Sequence, residues 1–132
     1  MPLLLDATIW VAAARPENRF HRDSATLLES RVPFAALDLT LFEVANALGV
    51  KLGRKDRAKW LVDGIITRCG DRLIRVDIEL IASAVEIAAE YDLTAYDAAY
   101  VAAARGHGWT LVSADIADLV SKGLAVAPDA AV

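Results

Sequence analysis

Leu3-Leu4-Leu5-Asp6, followed by Ala7-Thr8-Ile9-Trp10-Val11-Ala12-Ala13-Ala14, decides the fold class of this 132-residue chain. Three apolar residues running into one acid read as a short strand buried on both faces, and the next eight as a helix that Arg15-Pro16 breaks. The unit recurs. Pro33-Phe34-Ala35-Ala36-Leu37 precedes a stretch from Asp38 to Gly53 with Leu41, Val44, Ala45 and Leu48 at helical spacing. Leu73-Ile74-Arg75-Val76 precedes a helix from Ile78 to about Tyr91 with Ile81, Val85 and Ala88 on one stripe. Further helices are predicted over Glu17 to Arg31, with Phe20, Ala25, Leu27 and Leu28 inward, and over Lys55 to Cys69, ended by Gly70-Asp71. Thr94 is predicted to cap Ala95 to Arg105, which Gly106-His107-Gly108 stops. Thr110-Leu111-Val112-Ser113 then reads as a strand, Ile116 to Ser121 as a short helix and Leu124-Ala125-Val126 as an edge strand. Strands alternating with helices in this way imply an α/β fold, with a mainly parallel central sheet flanked by helices on both faces. One domain is expected over residues 1–127, with 128–132 a loose tail.

Hydrophobic residues are 56% of the chain and charged ones 24%, too apolar for disorder or a fibrous protein and enough for one sizeable core. Charges interrupt every apolar stretch before it reaches the roughly 18 residues of a membrane span. The apolar start carries Asp6 and no basic n-region, so it reads as mature protein rather than a signal peptide. Cys69 is the only cysteine, which excludes an internal disulfide framework and a Cys-based zinc site and fits a reducing compartment, the cytoplasm. The 18 acidic and 14 basic residues give a formal charge of -4, the wrong sign for nucleic-acid binding by bulk electrostatics alone.

In open parallel sheets, ligands bind beyond the carboxyl ends of the strands. Asp6 ends the first strand and Asp115 closely follows the one beginning at Thr110, while Glu43 and Asp97 sit in first turns of helices entered from loops. All four can therefore meet at one sheet edge. Each also has an ordinary structural role: Thr40-x-x-Glu43 and Thr94-x-x-Asp97 match the capping box, Asp6 fits a strand-end turn, and Asp115 fits the cap of its short helix. Their shared location is what points to chemistry. Crowded carboxylates repel and are costly to desolvate, so such a cluster needs a cation or takes up protons. Oxygen donors without a neighbouring Cys or His suit Mg2+, or Mn2+ as a substitute, rather than zinc, and His21 and His107 lie far from these motifs in sequence. Mg2+ held by a few carboxylates keeps positions for water and phosphate oxygens, which selects phosphoryl chemistry. Neither G-x-x-x-x-G-K-[ST] nor G-x-G-x-x-G is present, which disfavours transfer from a nucleotide.

At these residues the sequence resembles the PIN-domain proteins, and in particular VapC-type toxins of toxin-antitoxin pairs. The resemblance is carried by Leu4-Leu5-Asp6-Ala7-Thr8, Glu43-Val44-Ala45-Asn46-Ala47-Leu48, Tyr96-Asp97-Ala98-Ala99-Tyr100-Val101-Ala102 and Leu111-Val112-Ser113-Ala114-Asp115, in family order over nearly the whole chain. It implies a Mg2+-dependent endoribonuclease in which Asp6, Glu43, Asp97 and Asp115 are the catalytic, metal-holding acids, with Asp6 and Asp97 most central. Thr8 and Ser113 would orient them. Asn46 either faces the site or is a polar position on its helix, and Asp118 is either a peripheral acid or a cap. The resemblance further implies a homodimer and a VapB-like antitoxin whose C-terminal segment fills a groove walled by Leu41 to Ile66, with Leu48, Trp60 and Leu61 as contacts. The alternative is an inactive PIN-like binding module acting through dimerisation and antitoxin capture. A phosphatase or receiver domain using Asp6 as phospho-acceptor lacks the second acid of D-x-D.

Arg15, Arg19 and Arg22, with Arg54 and Lys55 in a second cluster beside Arg57 and Lys59, are candidates for RNA backbone contact or for ordinary solvated surface. Trp10 and Trp60 either stack on bases or pack in a groove, and Trp109 reads as core. Setting aside the four site acids leaves 14 acidic against 14 basic residues, so the charge excess belongs wholly to the proposed site, and RNA binding there is expected to depend on metal.

Overall fold

Leu3–Leu5, Phe34–Leu37, Leu73–Ile74 and Thr110–Val112 form strands β1 to β4 of one parallel sheet, ordered β3-β2-β1-β4, in the computed structural model, which describes residues 1–131. Period-2 alternation on these short strands feeds two cores. Leu3, Leu5, Phe34 and Ala36 pack with Ile9, Trp10, Leu27 and Ile65 on one face, and Leu4, Ala35, Leu37 and Leu111 with Ala99, Tyr100 and Ala103 on the other. The helices are α1 (Ala7–Ala14), α2 (His21–Glu29), α3 (Asp38–Val44), α4 (Lys55–Cys69), α5 (Ile78–Tyr91) and α6 (Ala95–His107). The predicted α/β layering is therefore the observed one.

The chain runs from β1 to β2 to β3 in one direction and returns with β4 on the other side of β1. The switch of strand order thus falls between β1 and β4, whose carboxyl ends lead into Asp6 and Ser113. Leu4 pairs with Leu111, Leu5 with Val112, and the Asp6 amide donates to the Val112 carbonyl at 3.2 Å, which locks those two ends side by side.

Several elements differ from expectation. The helix predicted from Glu17 begins at His21, because Asn18 closes a turn in which its side chain accepts from the Phe20 amide at 2.8 Å. After Val44 the helix predicted to reach Gly53 widens into a π-helical segment, Ala45–Lys51, ahead of α4. Gly49 allows a close approach there, since a β-carbon on it would lie 3.2 Å from that of Ala58 on α4, a tight contact. Leu124 to Val126 makes only a single parallel bridge, between Val126 and Val112, instead of a strand. On α5 the core-facing residues are Ala84 with Leu80, Ile87 and Ala88, whereas Ile81 and Val85 of the expected stripe are 49% and 56% exposed. The expected loose tail instead forms a 3-10 turn at Pro128–Ala130 that buries Pro128 and packs near α2; Val132 lies outside the described residues. No helix among the described residues is long and apolar enough to cross a membrane.

Candidate metal-binding active site

Asp6 is built into the sheet edge. It is 3% exposed, caps α1 by accepting from the Thr8 amide at 3.0 Å, and holds two hydroxyls: Thr8 Oγ1 donates to its Oδ1 and Ser113 Oγ donates to its Oδ2 at 2.5 Å. Backbone amides stand behind both hydroxyls, with Ala114 N–H donating to Thr8 Oγ1 at 2.9 Å and Asp115 N–H to Ser113 Oγ at 3.0 Å. Each hydroxyl spends a lone pair on an amide and its single proton on Asp6. Thr8 and Ser113, expected to orient the acids, both donate to Asp6.

Glu43 is held by a different set. Tyr100, buried in α6, donates its hydroxyl proton to Glu43 Oε1 at 2.6 Å. Thr40 Oγ1 lies 2.7 Å from the Tyr100 oxygen and accepts from the Leu37 amide at 3.3 Å. This overturns the capping box expected at Thr40-x-x-Glu43: α3 already starts at Asp38, so Thr40 lies inside its first turn and Glu43 turns toward Tyr100. At Thr94-x-x-Asp97 half of the motif survives. Thr94 Oγ1 accepts from the Asp97 amide at 3.1 Å, while among the described residues no bond returns from the Asp97 carboxylate to the Thr94 amide. That carboxylate is left for the site.

Asp97, Asp115 and Asp118 bring one carboxylate oxygen each to within 4.8 Å of one another, a spacing that a single cation can span. Asp115 is positioned as the cap of the short helical segment Ile116–Val120, accepting from the Asp118 amide at 3.0 Å. Asp118, given only a peripheral or capping role by its sequence position, is therefore grouped directly with two of the four principal acids. Asp6 and Glu43 both feel the charge of Asp97 from this trio. Burial, with the charges of Glu43 and Asp97 adding to it, pushes Asp6 up to about 7 despite its hydroxyl donors. Burial foremost and Asp97 next raise Glu43, against the lowering effect of the Tyr100 bond, and burial together with Asp115 and Asp118 raises Asp97.

Among the described residues none of these acids is in a salt bridge, and the one cation felt by Asp97 is Lys122, whose lowering effect is the smallest of the causes acting on it. Arg15 with Glu17, at 2.9 Å, is the one salt bridge among the described residues. Desolvating a carboxylate costs several kcal/mol, whereas each hydrogen bond to it returns about 1.5–3 kcal/mol, so the hydroxyls offset part of the cost and leave mutual repulsion uncompensated. Five carboxylates, no sulfur or imidazole donor among them, and a trio at ligating separation fit a hard divalent cation. The histidines are engaged elsewhere, His21 Nδ1 with the Ala12 carbonyl at 2.9 Å and His107 stacked on Trp109 at 4.2 Å.

Beside Glu43 and Thr8 opens a cleft of about 530 Å3 whose wall includes Asn18, Arg19, Asn46 and Lys51. Of the five basic residues considered, only Arg19 lines it. Arg15 is paired with Glu17, and Arg22, Arg54 and Lys55 are exposed away from its wall. Lys51 was missed because the π-helical turn that aims it here leaves no mark in the spacing. Asn46 is exposed on the cleft wall. A second, apolar groove of about 920 Å3 lies between α3 and α4 on one side and α5 and α6 on the other, with exposed Phe42, Ile81 and Tyr96 on its walls. Of the three contacts expected for a partner segment, Leu48 and Leu61 are buried in the core and unavailable, and Trp60 is 71% exposed. Trp10 is buried edge-on against Phe34 and cannot stack on a base, and Trp109 is half-buried.

The family model described as PIN domain matches residues 3–118. Among solved structures, the chain is similar to VapC20 of Mycobacterium tuberculosis, described as a sarcin-ricin loop cleaving toxin, at 19% identity and a TM-score of 0.77, covering 92% of this chain and 95% of that one. A toxin-antitoxin complex from Klebsiella pneumoniae aligns at 23% identity and a TM-score of 0.68, covering 96% and 97% of the two chains. DNA-bound VapBC from Salmonella typhimurium aligns at 18% identity and a TM-score of 0.68, covering 96% of each. No curated protein matches the sequence significantly.

The raised acids give a pH signature with a definite sign. Folded Asp6 keeps a proton that the unfolded chain, with an ordinary value of 3.8, releases. Metal-free stability should therefore fall as pH rises from about 4 to about 7 and level off above, with Glu43 and Asp97 acting in the same direction. Urea unfolding in EDTA at pH 5 and pH 8 checks this. Asp6→Asn should flatten the slope and exceed the wild type in stability at pH 8.

Proposed function

The chain belongs to the PIN domain family, and from that premise we propose that it is a divalent-metal-dependent endoribonuclease acting as the toxin of a toxin-antitoxin pair. The observation that carries the proposal is the uncompensated group of five carboxylates at the β1/β4 switch point, three of them with oxygens within 4.8 Å of one another. A binding module has no need to concentrate buried charge at that cost. The description of VapC20 as a sarcin-ricin loop cleaving toxin supports RNA as the substrate class.

In this proposal the five acids together hold the cation, Mg2+ or Mn2+, with Asp97, Asp115 and Asp118 giving the oxygens already within 4.8 Å of one another and Asp6 and Glu43 completing the set. A bound divalent cation supplies charge to the phosphate and acidifies a water for attack. The residues of the chain do the positioning. Thr8 and Ser113 keep both Asp6 oxygens fixed, so the acid enters the reaction without reorganising. Arg19 and Lys51 line the cleft, form no salt bridge among the described residues, and offer their charge to the phosphates flanking the cut. Glu43, held by Tyr100 and raised above the ordinary carboxylate range by burial, stands on the cleft wall as the candidate to take up a proton.

The partners proposed are an antitoxin and a second copy of the chain, in keeping with the toxin-antitoxin and VapBC complexes of similar fold. The apolar groove is walled by the same Leu41 to Ile66 stretch that was expected to receive the antitoxin segment, and we assign it instead to the second copy. Phe42, Ile81, Val85 and Tyr96 make that face more apolar than an ordinary surface, which is the character of homodimer interfaces. A basic antitoxin side chain reaching the acids would pair with them and block the cation. A cytoplasmic location is part of the same proposal.

Asp97→Asn is expected to abolish RNA cleavage and toxicity with the fold retained, and EDTA to abolish wild-type cleavage. Mapping RNA 5' ends in cells after inducing wild type and Asp97→Asn in parallel tests both activity and target. Equal cleavage by the two, or no cleavage of any transcript by antitoxin-free wild type with Mg2+ or Mn2+, would return the chain to the class of binding modules.

The cleft makes a separate prediction. Arg19→Ala and Lys51→Ala should each weaken RNA binding in filter-binding assays by about tenfold, the scale of one lost charge-assisted contact, and reduce its salt dependence. Arg15→Ala, whose charge is already paired, should leave binding within about twofold.

A further inference from the structure

We propose that Tyr100 is a positioning residue for Glu43, which with Thr40 fixes the one carboxylate oxygen that Glu43 presents to the cleft. The inference rests on the reading of Glu43 as a member of the acid site. Its basis is the direction of three hydrogen bonds. An ionised carboxylate can only accept, so the single Tyr100 proton goes to Glu43 Oε1 at 2.6 Å. Tyr100 must then accept from Thr40 at 2.7 Å, which spends the only Thr40 proton, and Thr40 in turn accepts from the Leu37 amide at 3.3 Å. The chain of donors is one-way, begins on the backbone at the end of β2 and ends on the acid.

Two consequences follow from where these residues sit. With Oε1 occupied by Tyr100, Glu43 has Oε2 left for the cleft that it lines with Thr8, Asn46 and Lys51. Tyr100 also follows Asp97 by three residues on α6, one turn along the same face. Its bond therefore ties Glu43, on α3, to the helix that carries Asp97, and sets the separation of two acids that no strand holds together. Burial alone does not call for the hydroxyl. Tyr100 is 1% exposed among Ala99, Ala103, Leu37 and other apolar residues, where a phenylalanine ring fills the same space. Asp6 is oriented by the same device, backbone amide to hydroxyl to carboxylate, through Thr8 and Ser113.

Tyr100→Phe and Thr40→Val should each lower Mn2+ affinity, measured by electron paramagnetic resonance on the metal alone, by about tenfold, the lower end of losses from removing a group that orients a ligand. RNA cleavage at saturating Mn2+ should fall in step. Thr40→Ser keeps the hydroxyl and should retain wild-type affinity, so the Val and Ser pair carries the test if Tyr100→Phe does not fold. Ile65→Val, a buried change on the other face of the sheet, controls for lost stability and should leave affinity unchanged. The proposal is overturned if Tyr100→Phe and Thr40→Val bind Mn2+ as wild type does while Glu43→Gln does not. If Glu43→Gln also binds as wild type, Glu43 is not part of the metal site and the proposal falls with that reading.

Discussion

Carboxylates gathered at the carboxyl edge of the sheet, none of them in a salt bridge among the described residues, are the constraint around which the rest of the structure is arranged. Asp6 is buried, and Glu43 and Asp97 are half-buried, yet hydroxyls hold the first two carboxylates, while Asp97 is fixed through its own amide, which donates to the Thr94 hydroxyl. Neutral donors orient an acid without neutralising it. Burial keeps the proton affinities of all three high.

The sheet makes this arrangement possible. Because β1 and β4 are neighbours and their ends are locked by the Asp6 amide to the Val112 carbonyl, Thr8 at the start of α1 comes within reach of the turn after β4, and Ser113 within reach of Asp6. β2 delivers α3 with Glu43, and α6, small and alanine-rich, lies close enough against the sheet for Tyr100 to reach across to α3. Charge also sorts by place. The acidic excess sits in the site, while Arg19 and Lys51 stand on the wall of the adjoining cleft, so a chain with a formal charge of -4 still offers cations where a phosphate backbone would pass.

The strand ends and their acids were legible in the sequence because a buried parallel strand leaves a short apolar run and its terminating polar residue is conspicuous. Leu3-Leu4-Leu5-Asp6 and Thr110 to Asp115 are of this kind. Other features were hidden for physical reasons. A Thr three residues before an acid looks the same whether it caps a helix, as Thr94 does, or lies within the first turn, as Thr40 does. Tyr100 stood in a recognised motif, and its i+3 spacing from Asp97 was a usable signal, but an aromatic in an apolar helix reads as core until a carboxylate is found opposite its hydroxyl. On α5 two apolar stripes compete, and spacing alone does not tell which one faces inward and which one, with Ile81 and Val85, remains outside. The grouping of Asp118 with Asp97 and Asp115 depends on a helical turn after β4 that propensity does not mark.

The most direct test is anomalous diffraction from crystals of the protein soaked in Mn2+. A cation bound by this acid group should give a peak bounded by the carboxylates of Asp97, Asp115 and Asp118 and adjoining Asp6. A saturating soak that leaves this space without a peak, or that places the metal elsewhere on the chain, would contradict a metal-dependent site built from these acids.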